Sequence, residues 1–168
     1  KPRFYYLHPR FENMLYLPRI KSAPNGFSLI EVMVVVVIIG LLAVIAIPTF
    51  LLAQEQSYAS RIANDLRTFS AEFEIYRMQY GVWPEDCQQG EVPSELSKEL
   101  QKFGQPAITK DTWDWENHAV GVVAGISLYG KNGEESVMIR VDEIIDDGQL
   151  STGRFIENGE RYTWIMDW

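Results

Sequence analysis

The longest apolar stretch of the sequence lies near its start and runs from Phe27 to Phe50. Across the first 21 of these residues, Phe27 to Ile47, the only polar side chains belong to Ser28 and Glu31. A helix of that length is roughly 30 Å long, which matches the hydrocarbon core of a bilayer. Buried strands and core helices are usually shorter, so the pattern predicts a membrane helix over residues 27–50.

A second pattern follows and belongs to an amphipathic helix. Between Ser57 and Gly81 the apolar residues are spaced four, four, three, four, three and four apart, which places them on one helical face. They are Tyr58, Ile62, Leu66, Phe69, Phe73, Tyr76 and Tyr80. Gly81 and Pro84 end the pattern. Because no strong helix breaker lies between Phe50 and Tyr80, one helix is expected to run from the membrane segment through residues 51–80.

Beyond residue 81 the sequence alternates between loop and strand signals. The segment SELSKELQKFG predicts a short helix capped by Ser94 and ended by Gly104. Two further segments, HAVGVVAGISLYG and SVMIRVDEII, predict strands joined by a turn at residues 131–133, and RFIENGERYTWIMDW predicts a hairpin at Asn158-Gly159. The expected fold is therefore α+β: a long N-terminal helix packed on a small antiparallel sheet in a head of residues 81–168.

Charge divides the chain in the same way. The formal net charge is −8, and residues 1–26 contribute +4, from five Lys/Arg against one Glu, so the remainder carries −12. A basic start, an apolar helix and an acidic body predict a single-pass protein with a cytoplasmic N-terminus and an external head. An acidic head also argues against nucleic acid as a required partner, because it repels phosphate.

The residues around the start of the membrane helix carry the most specific signal. A secretory signal peptide has its cleavage site beyond the apolar stretch, whereas the Ala-Pro-Asn-Gly sequence ending at Gly26 precedes it. Cleavage there would remove a basic leader, residues 1–26 or the shorter leader that begins at Met14, and would keep the helix. Glu31 lies one turn into that helix, where an acid costs about 2.5–3.5 kcal/mol on insertion scales.

The segment Asn25-Gly26-Phe27-Ser28-Leu29-Ile30-Glu31-Val32 resembles the prepilin cleavage and methylation motif of type IV pilins and type II secretion pseudopilins. The resemblance covers residues 21–50 in detail and the helix-then-sheet order of the rest. It implies cleavage after Gly26 by a prepilin peptidase, N-methylation of Phe27, and anchoring in the bacterial inner membrane. It also implies an inner-membrane assembly platform as a partner and a periplasmic or extracellular filament as the product.

Three explanations are open for the lone acid Glu31. The resemblance implies that it pairs with the terminal amine of a neighbouring copy and sets the register of the filament. Pairing with the amine of its own chain at Phe27, four residues away, is the second explanation. The third is that the side chain extends to the lipid headgroups.

Two further residues interrupt the membrane helix. Pro48 removes one backbone hydrogen bond, so the helix is expected to be weakest near Val44. The consequence is either a fixed kink that directs the head away from the membrane or, as the resemblance implies for Gly40 to Pro48, a segment that unwinds on polymerisation.

Candidate chemistry elsewhere is sparse. Asp146 and Asp147, with Asp142 and Glu143 upstream, offer oxygen ligands for calcium, as the resemblance implies for the C-terminal loop of major pseudopilins, although two adjacent aspartates usually just begin a turn. No other cofactor is expected. The single cysteine, Cys87, cannot form the C-terminal disulfide of many type IV pilins. The aromatic residues Tyr76, Tyr80, Trp83, Trp113 and Trp115 predict a helix–sheet core or, alternatively, an adhesive patch.

The sequence thus predicts a structural subunit that polymerises with its own kind through the hydrophobic helix, and not an enzyme. The short acidic head without paired cysteines favours a type II secretion pseudopilin. A type IV pilin for adhesion, twitching or DNA uptake is the alternative. A membrane-anchored enzyme or binding protein that uses a prepilin leader is a further one, although no catalytic motif is present.

Overall fold

A computed structural model of the chain describes residues 26–168. The predicted leader, residues 1–26, therefore lies outside the described residues except for Gly26. The described residues divide into two units, residues 26–41 and residues 42–168.

Helix α1 runs without interruption from Leu29 to Tyr80, a length of 52 residues. The described part of the first unit consists of residues 26–41, and every one of its large apolar side chains is at least half exposed. Within the described residues, α1 is the one helix long and apolar enough to cross a membrane. Among the described residues, the apolar side chains of residues 27–52 thus have little cover, as expected of a segment that lies in lipid or against other copies.

The second unit contains the rest of α1 and a four-stranded antiparallel sheet. The strands are β1 (Thr112–Asn117), β2 (Ala124–Tyr129), β3 (Phe155–Asn158) and β4 (Arg161–Asp167), in the spatial order β1-β2-β4-β3. A second helix, α2 (Glu135–Ile145), connects β2 to β3. This arrangement confirms the predicted α+β class and the predicted hairpin, whose arms β3 and β4 pair Asn158 with Arg161 across Gly159.

The core lies between α1 and the sheet. Phe69 and Phe73 on α1 meet Trp113 and Trp115 on β1, with ring centroids 5.0 Å apart in the edge-to-face pair Phe69–Trp113 and 3.8 Å apart in the stacked pair Phe73–Trp115. Both tryptophans are buried. The amphipathic stripe therefore packs on the sheet as predicted, and these two tryptophans belong to the core and not to an adhesive patch.

The strand predicted for SVMIRVDEII was wrong, because this segment forms α2. Its buried residues Val137, Met138 and Val141 are spaced one and three apart, which suits one face of a helix and not the alternation of a strand. The turn predicted at residues 131–133 accordingly leads into a helix instead of joining two paired strands.

Two other local predictions need correction. The segment from Ser94 forms only a 3₁₀ turn, Ser94–Leu96, followed by further turns, and Pro93 and not Ser94 occupies the cap position. These turns still bury Leu96, Leu100 and Phe103, so the core is filled without a continuous helix. The sequence analysis also missed β1, although its residues Thr112–Asn117 alternate between tryptophan and polar side chains.

The sheet face opposite α1 holds a buried charged cluster. On β1, Asp114 and Glu116 both pair with Arg161 of β4, and the Asp114 Oδ2 to Arg161 Nη1 distance is 3.1 Å. Two carboxylates thus share one guanidinium. Burial, and after it the neighbouring charge of Glu116, raises the pKa of Asp114 to about 7 against the opposing effect of Arg161.

Asp114→Asn is expected to flatten the pH dependence of stability. The folded protein holds the Asp114 proton more tightly than the unfolded chain does, so its contribution to stability is present at low pH and is lost as pH rises toward about 7. Chemical denaturation from pH 5 to pH 8 should therefore show a steeper decline for the unmodified protein than for the variant, which keeps only the smaller contribution of Asp142. Equal slopes for the two proteins would contradict this assignment of the proton to Asp114.

Candidate functional site

Glu31 lies within the first turn of α1 and is the only charged residue between Gly26 and Gln54. Its Oε2 accepts a hydrogen bond from the backbone N–H of Ser28 at 2.7 Å. In return the Ser28 hydroxyl accepts the backbone N–H of Ile30 at 3.3 Å. This reciprocal arrangement is a capping box, which satisfies backbone donors left free at a helix start.

The capping box adds Ser28 to the site and places Glu31 at the helix start. The sequence analysis missed the role of Ser28, although the Ser-x-x-Glu spacing was a readable signal. Gly26 and Phe27 lie immediately before the cap and are exposed, as a peptidase substrate must be. In the single uncleaved chain Glu31 thus accepts a backbone N–H, and all three explanations given for it stay predictions.

Gly40 and Pro48 both lie inside the uninterrupted helix. A Cβ at Gly40 would meet no other atom within 4 Å, so packing within one copy does not require glycine there. Next to Pro48, the Thr49 hydroxyl lies 3.2 Å from the carbonyl of Ile45 and 2.9 Å from that of Ala46, and it donates its proton to one of them at a time. Neither of these carbonyls is that of Val44, from which Pro48 withdraws the usual backbone donor.

The side chains of three aspartates come together where α2 ends, one from its last turn and two from the loop that follows. Carboxylate oxygens of Asp142, Asp146 and Asp147 lie within 4.8 Å of one another. Asp142 is fully buried, and its carboxylate makes no well-formed hydrogen bond within residues 26–168, although the backbone N–H groups of Gly148 and Gln149 lie close enough to lower its pKa against the effect of burial. Burial, and after it the charges of Asp147 and Asp146, raises the pKa of Asp142 to about 6. A buried unpaired carboxylate is costly unless a cation or proton meets it.

The other two aspartates also organise the loop. Asp147 accepts hydrogen bonds from the backbone N–H of Gln149 at 2.9 Å and from the hydroxyl of Thr152 at 2.8 Å. These bonds form the turn that two adjacent aspartates usually begin. Asp146 accepts the backbone N–H groups of Arg154 and Phe155. All three side chains supply the hard oxygen ligands that calcium prefers, so the residues present fit that ion.

The described residues thus carry two separate candidate sites. One is the start of α1, where cleavage, capping and the lone acid meet. The other is the aspartate loop between α2 and β3. The helix-plus-sheet fold is pilin-like, and its N-terminal helix is long and apolar enough to cross a membrane.

Comparison with known proteins agrees with this class. The family model described as the prokaryotic N-terminal methylation motif matches residues 21–47. The type IV major fimbrial protein FimA of Dichelobacter nodosus is 30% identical over 143 residues, which cover 82% of this chain and 84% of FimA. The type II secretion system core protein G of Vibrio cholerae is 28% identical over 121 residues, 66% of this chain and 83% of that protein.

A shorter match is the type II secretion system core protein G of Pseudomonas aeruginosa, 35% identical over 66 residues, which are 39% of this chain and 46% of that protein. The match with this relative thus spans about half of its length. No solved structure gives a significant match. The chain belongs to the family of type IV pilins and type II secretion pseudopilins.

Proposed function

We propose that this protein is a structural subunit of a type IV pilin-like filament and that it polymerises through the apolar part of α1. The observation that carries the proposal is the exposure of the apolar side chains of residues 27–52 around a single acid, Glu31. Lipid covers this surface in the inserted subunit, and the same segment of neighbouring copies covers it in a filament. The role is structural and requires no catalysis.

We propose that the subunit passes through three stages. First, the chain is anchored in the bacterial inner membrane with its basic N-terminus in the cytoplasm and its acidic head outside. A prepilin peptidase then removes the leader after Gly26, and the new N-terminus at Phe27 is methylated. An inner-membrane assembly platform finally moves the mature subunit into the filament.

Mass spectrometry of subunits from assembled filaments is expected to find Phe27 as a methylated N-terminus. The exposure of Gly26 and Phe27 before the helix cap supports access by the peptidase. A Gly26→Leu variant, whose side chain would obstruct the cleavage position, should keep its leader and remain in the membrane. Functional filaments whose subunits keep the leader would contradict this pathway.

Within the family, a type II secretion pseudopilin is the role we propose first. The chain has one cysteine and therefore lacks an internal disulfide. The Cys87 thiol donates a hydrogen bond to the backbone carbonyl of Glu91, at a sulfur–oxygen distance of 3.4 Å. A type IV pilin is the second candidate, favoured by the match over 84% of FimA. Electron microscopy of intact cells separates the two, because long surface filaments favour a pilin and short periplasmic filaments favour a pseudopilin.

We further propose that Asp142, Asp146 and Asp147 hold a calcium ion. When bound, the ion would supply positive charge to the buried carboxylate of Asp142, which makes no well-formed hydrogen bond within the described chain. Binding is expected to weaken below about pH 6, because protonated Asp142 is a poor ligand.

Calcium is expected to raise the melting temperature of the detergent-solubilised protein by about 5 °C when present at roughly 100 times its dissociation constant. Asp142→Asn should abolish this shift and yet stabilise the calcium-free protein, because it removes an unpaired buried charge. Magnesium at the same concentration serves as the control and should act more weakly. A melting temperature that does not respond to calcium would rule out the site.

A further inference from the structure

A cleft lies between α1 and two loops of the head, at the point where the apolar segment of α1 ends. Its walls are one face of α1 between Leu51 and Tyr58, the loop of residues 108–110, and the loop of residues 132–134 with the first turn of α2. We call it the boundary cleft. Its volume is about 550 Å³, which lies within the range of small-molecule sites in proteins.

The boundary cleft opens at the level where α1 changes from apolar to polar. Within the unit of residues 42–168, the exposed apolar side chains of α1 run as far as Leu52, and the next amide or charged side chains are Gln54 and Glu55. Leu51, which is 52% exposed, lines the cleft together with these two polar residues. In the anchored subunit this is the level of the lipid head groups, because they border the hydrocarbon that covers the apolar side chains.

The two loops of the boundary cleft are tied together by buried Asp111. Its carboxylate accepts hydrogen bonds from the Thr109 hydroxyl and from the backbone N–H of Asn132, the latter at 2.6 Å. The Asn132 side-chain amide donates in turn to the Lys110 carbonyl at 3.2 Å. Lys110 is thereby held at a φ of 69°, a left-handed conformation that residues other than glycine seldom adopt. The walls are therefore formed before a ligand arrives.

The charges at the boundary cleft are of both signs and sum to zero. Lys110 and Glu134 are exposed, neither forms an ion pair within residues 26–168, and the Glu134 side chain does not cap α2. The remaining charge, on Glu55, is neutralised by Arg140 at 3.2 Å. One free cation and one free anion in a neutral cleft are complementary to a zwitterion, and less so to a ligand with a net charge.

We propose that the boundary cleft binds the head group of a phospholipid that carries a phosphate and a primary ammonium, as phosphatidylethanolamine does. The inference rests on the membrane anchoring proposed above and adds a lipid site to the head. Lys110 holds the phosphate, and the Glu134 carboxylate accepts hydrogen bonds from the ammonium. Leu51 and the half-buried Ile108 contact the apolar part of the lipid next to its glycerol. The bound lipid thus ties the head to the membrane surface.

Native mass spectrometry of the detergent-solubilised full chain, mixed with one lipid at a time, tests the choice of ligand. We expect one phosphatidylethanolamine per chain, bound about tenfold more tightly than phosphatidylglycerol or phosphatidylcholine. Phosphatidylglycerol has no cation for Glu134, and the quaternary ammonium of phosphatidylcholine has no proton to donate. Equal retention of the three lipids would overturn the proposal.

Lys110→Gln combined with Glu134→Gln is expected to lower the affinity for phosphatidylethanolamine by about tenfold or more, because both charge-assisted contacts are lost. The matched control combines Lys98→Gln and Glu99→Gln, which neutralise one exposed lysine and one exposed glutamate away from the cleft, and it should bind the lipid as the unmodified protein does. Tryptophan fluorescence checks that both variants fold. Equal binding by the cleft variant and the control would count against the site.

A further measurement uses the unmodified protein in its membrane. Phosphatidylethanolamine with a diazirine on the acyl chain next to the glycerol is expected to label residues 108–110 and 132–137 in addition to α1. Labels confined to residues 27–52 would overturn the lipid site and leave the anchoring intact. Failure of the anchoring is a different result, because the full-length protein would then be recovered in the soluble fraction of lysed cells, and both proposals would fall.

Discussion

Replacing Glu31 by alanine is expected to abolish most filament assembly while leaving insertion and leader cleavage intact. The carboxylate is the only charge in the apolar part of α1, and a cationic amine of a neighbour about 4 Å away would attract it by about 4 kcal/mol at an effective dielectric constant of about 20. Since every 1.4 kcal/mol changes an equilibrium about tenfold, even half of that attraction predicts a loss of more than tenfold in filament yield. Quantitative immunoblotting of sheared or cross-linked filaments measures the loss.

Glu31→Gln is the matched control, because the structure gives Glu31 two separable roles. Glutamine keeps the hydrogen bond to the Ser28 N–H and so keeps the capping box, but it carries no charge. If charge drives assembly, the alanine and glutamine variants should fail alike. Normal assembly by the glutamine variant would show that the cap matters and that charge pairing with a neighbour does not.

Phe73→Ala should destabilise the head by about 3–5 kcal/mol, a large part of the stability of an ordinary domain. Phe73 is fully buried, stacks on Trp115 at 3.8 Å and meets Phe103 edge-on at 5.8 Å. Truncation leaves a cavity between α1 and β1 that these rigid rings close only partly. Denaturant unfolding of the detergent-solubilised chain, followed by tryptophan fluorescence, gives the change directly.

Ile75→Ala is the control for this prediction, because it removes an apolar side chain two residues further along the same helix. Ile75 is half exposed, so its loss should change the stability of the monomer by no more than about 0.5 kcal/mol. A comparable loss for both variants would mean that the head depends on helix propensity and not on the core between α1 and the sheet.

The sequence predicts the long helix and the β3–β4 hairpin because both depend on local signals. Apolar spacing over many turns specifies α1, and Asn158-Gly159 specifies the hairpin. Helix α2 was mistaken for a strand because its eleven residues mix charged and apolar side chains. Over so short a segment their spacing fits both the helical period and the strand period. Its helical state follows from packing Val137, Met138 and Val141 into the core, which local pattern does not reveal.

The candidate sites also differ in how far the sequence alone predicts them. The Gly26-Phe27 junction and Glu31 are readable from sequence because they lie within six residues of one another. Asp142 is different, since its burial without a well-formed hydrogen bond depends on how the loop between α2 and β3 folds back. The shared use of Arg161 by Asp114 and Glu116 likewise depends on strand pairing through β2. The spacing of residues in the sequence does not predict such contacts between distant segments.

If the amine of an incoming copy pairs with Glu31, as we predict, it meets a carboxylate that already accepts a hydrogen bond from the Ser28 N–H. An arriving amine must replace this bond or share the oxygen with it, so the net gain at each addition is smaller than the bare attraction between the charges. A subunit waiting in the bilayer accordingly keeps its acid occupied. Each addition of a subunit then replaces one partner of Glu31 by another. Such an addition is easier to reverse than the pairing of two free charges would be.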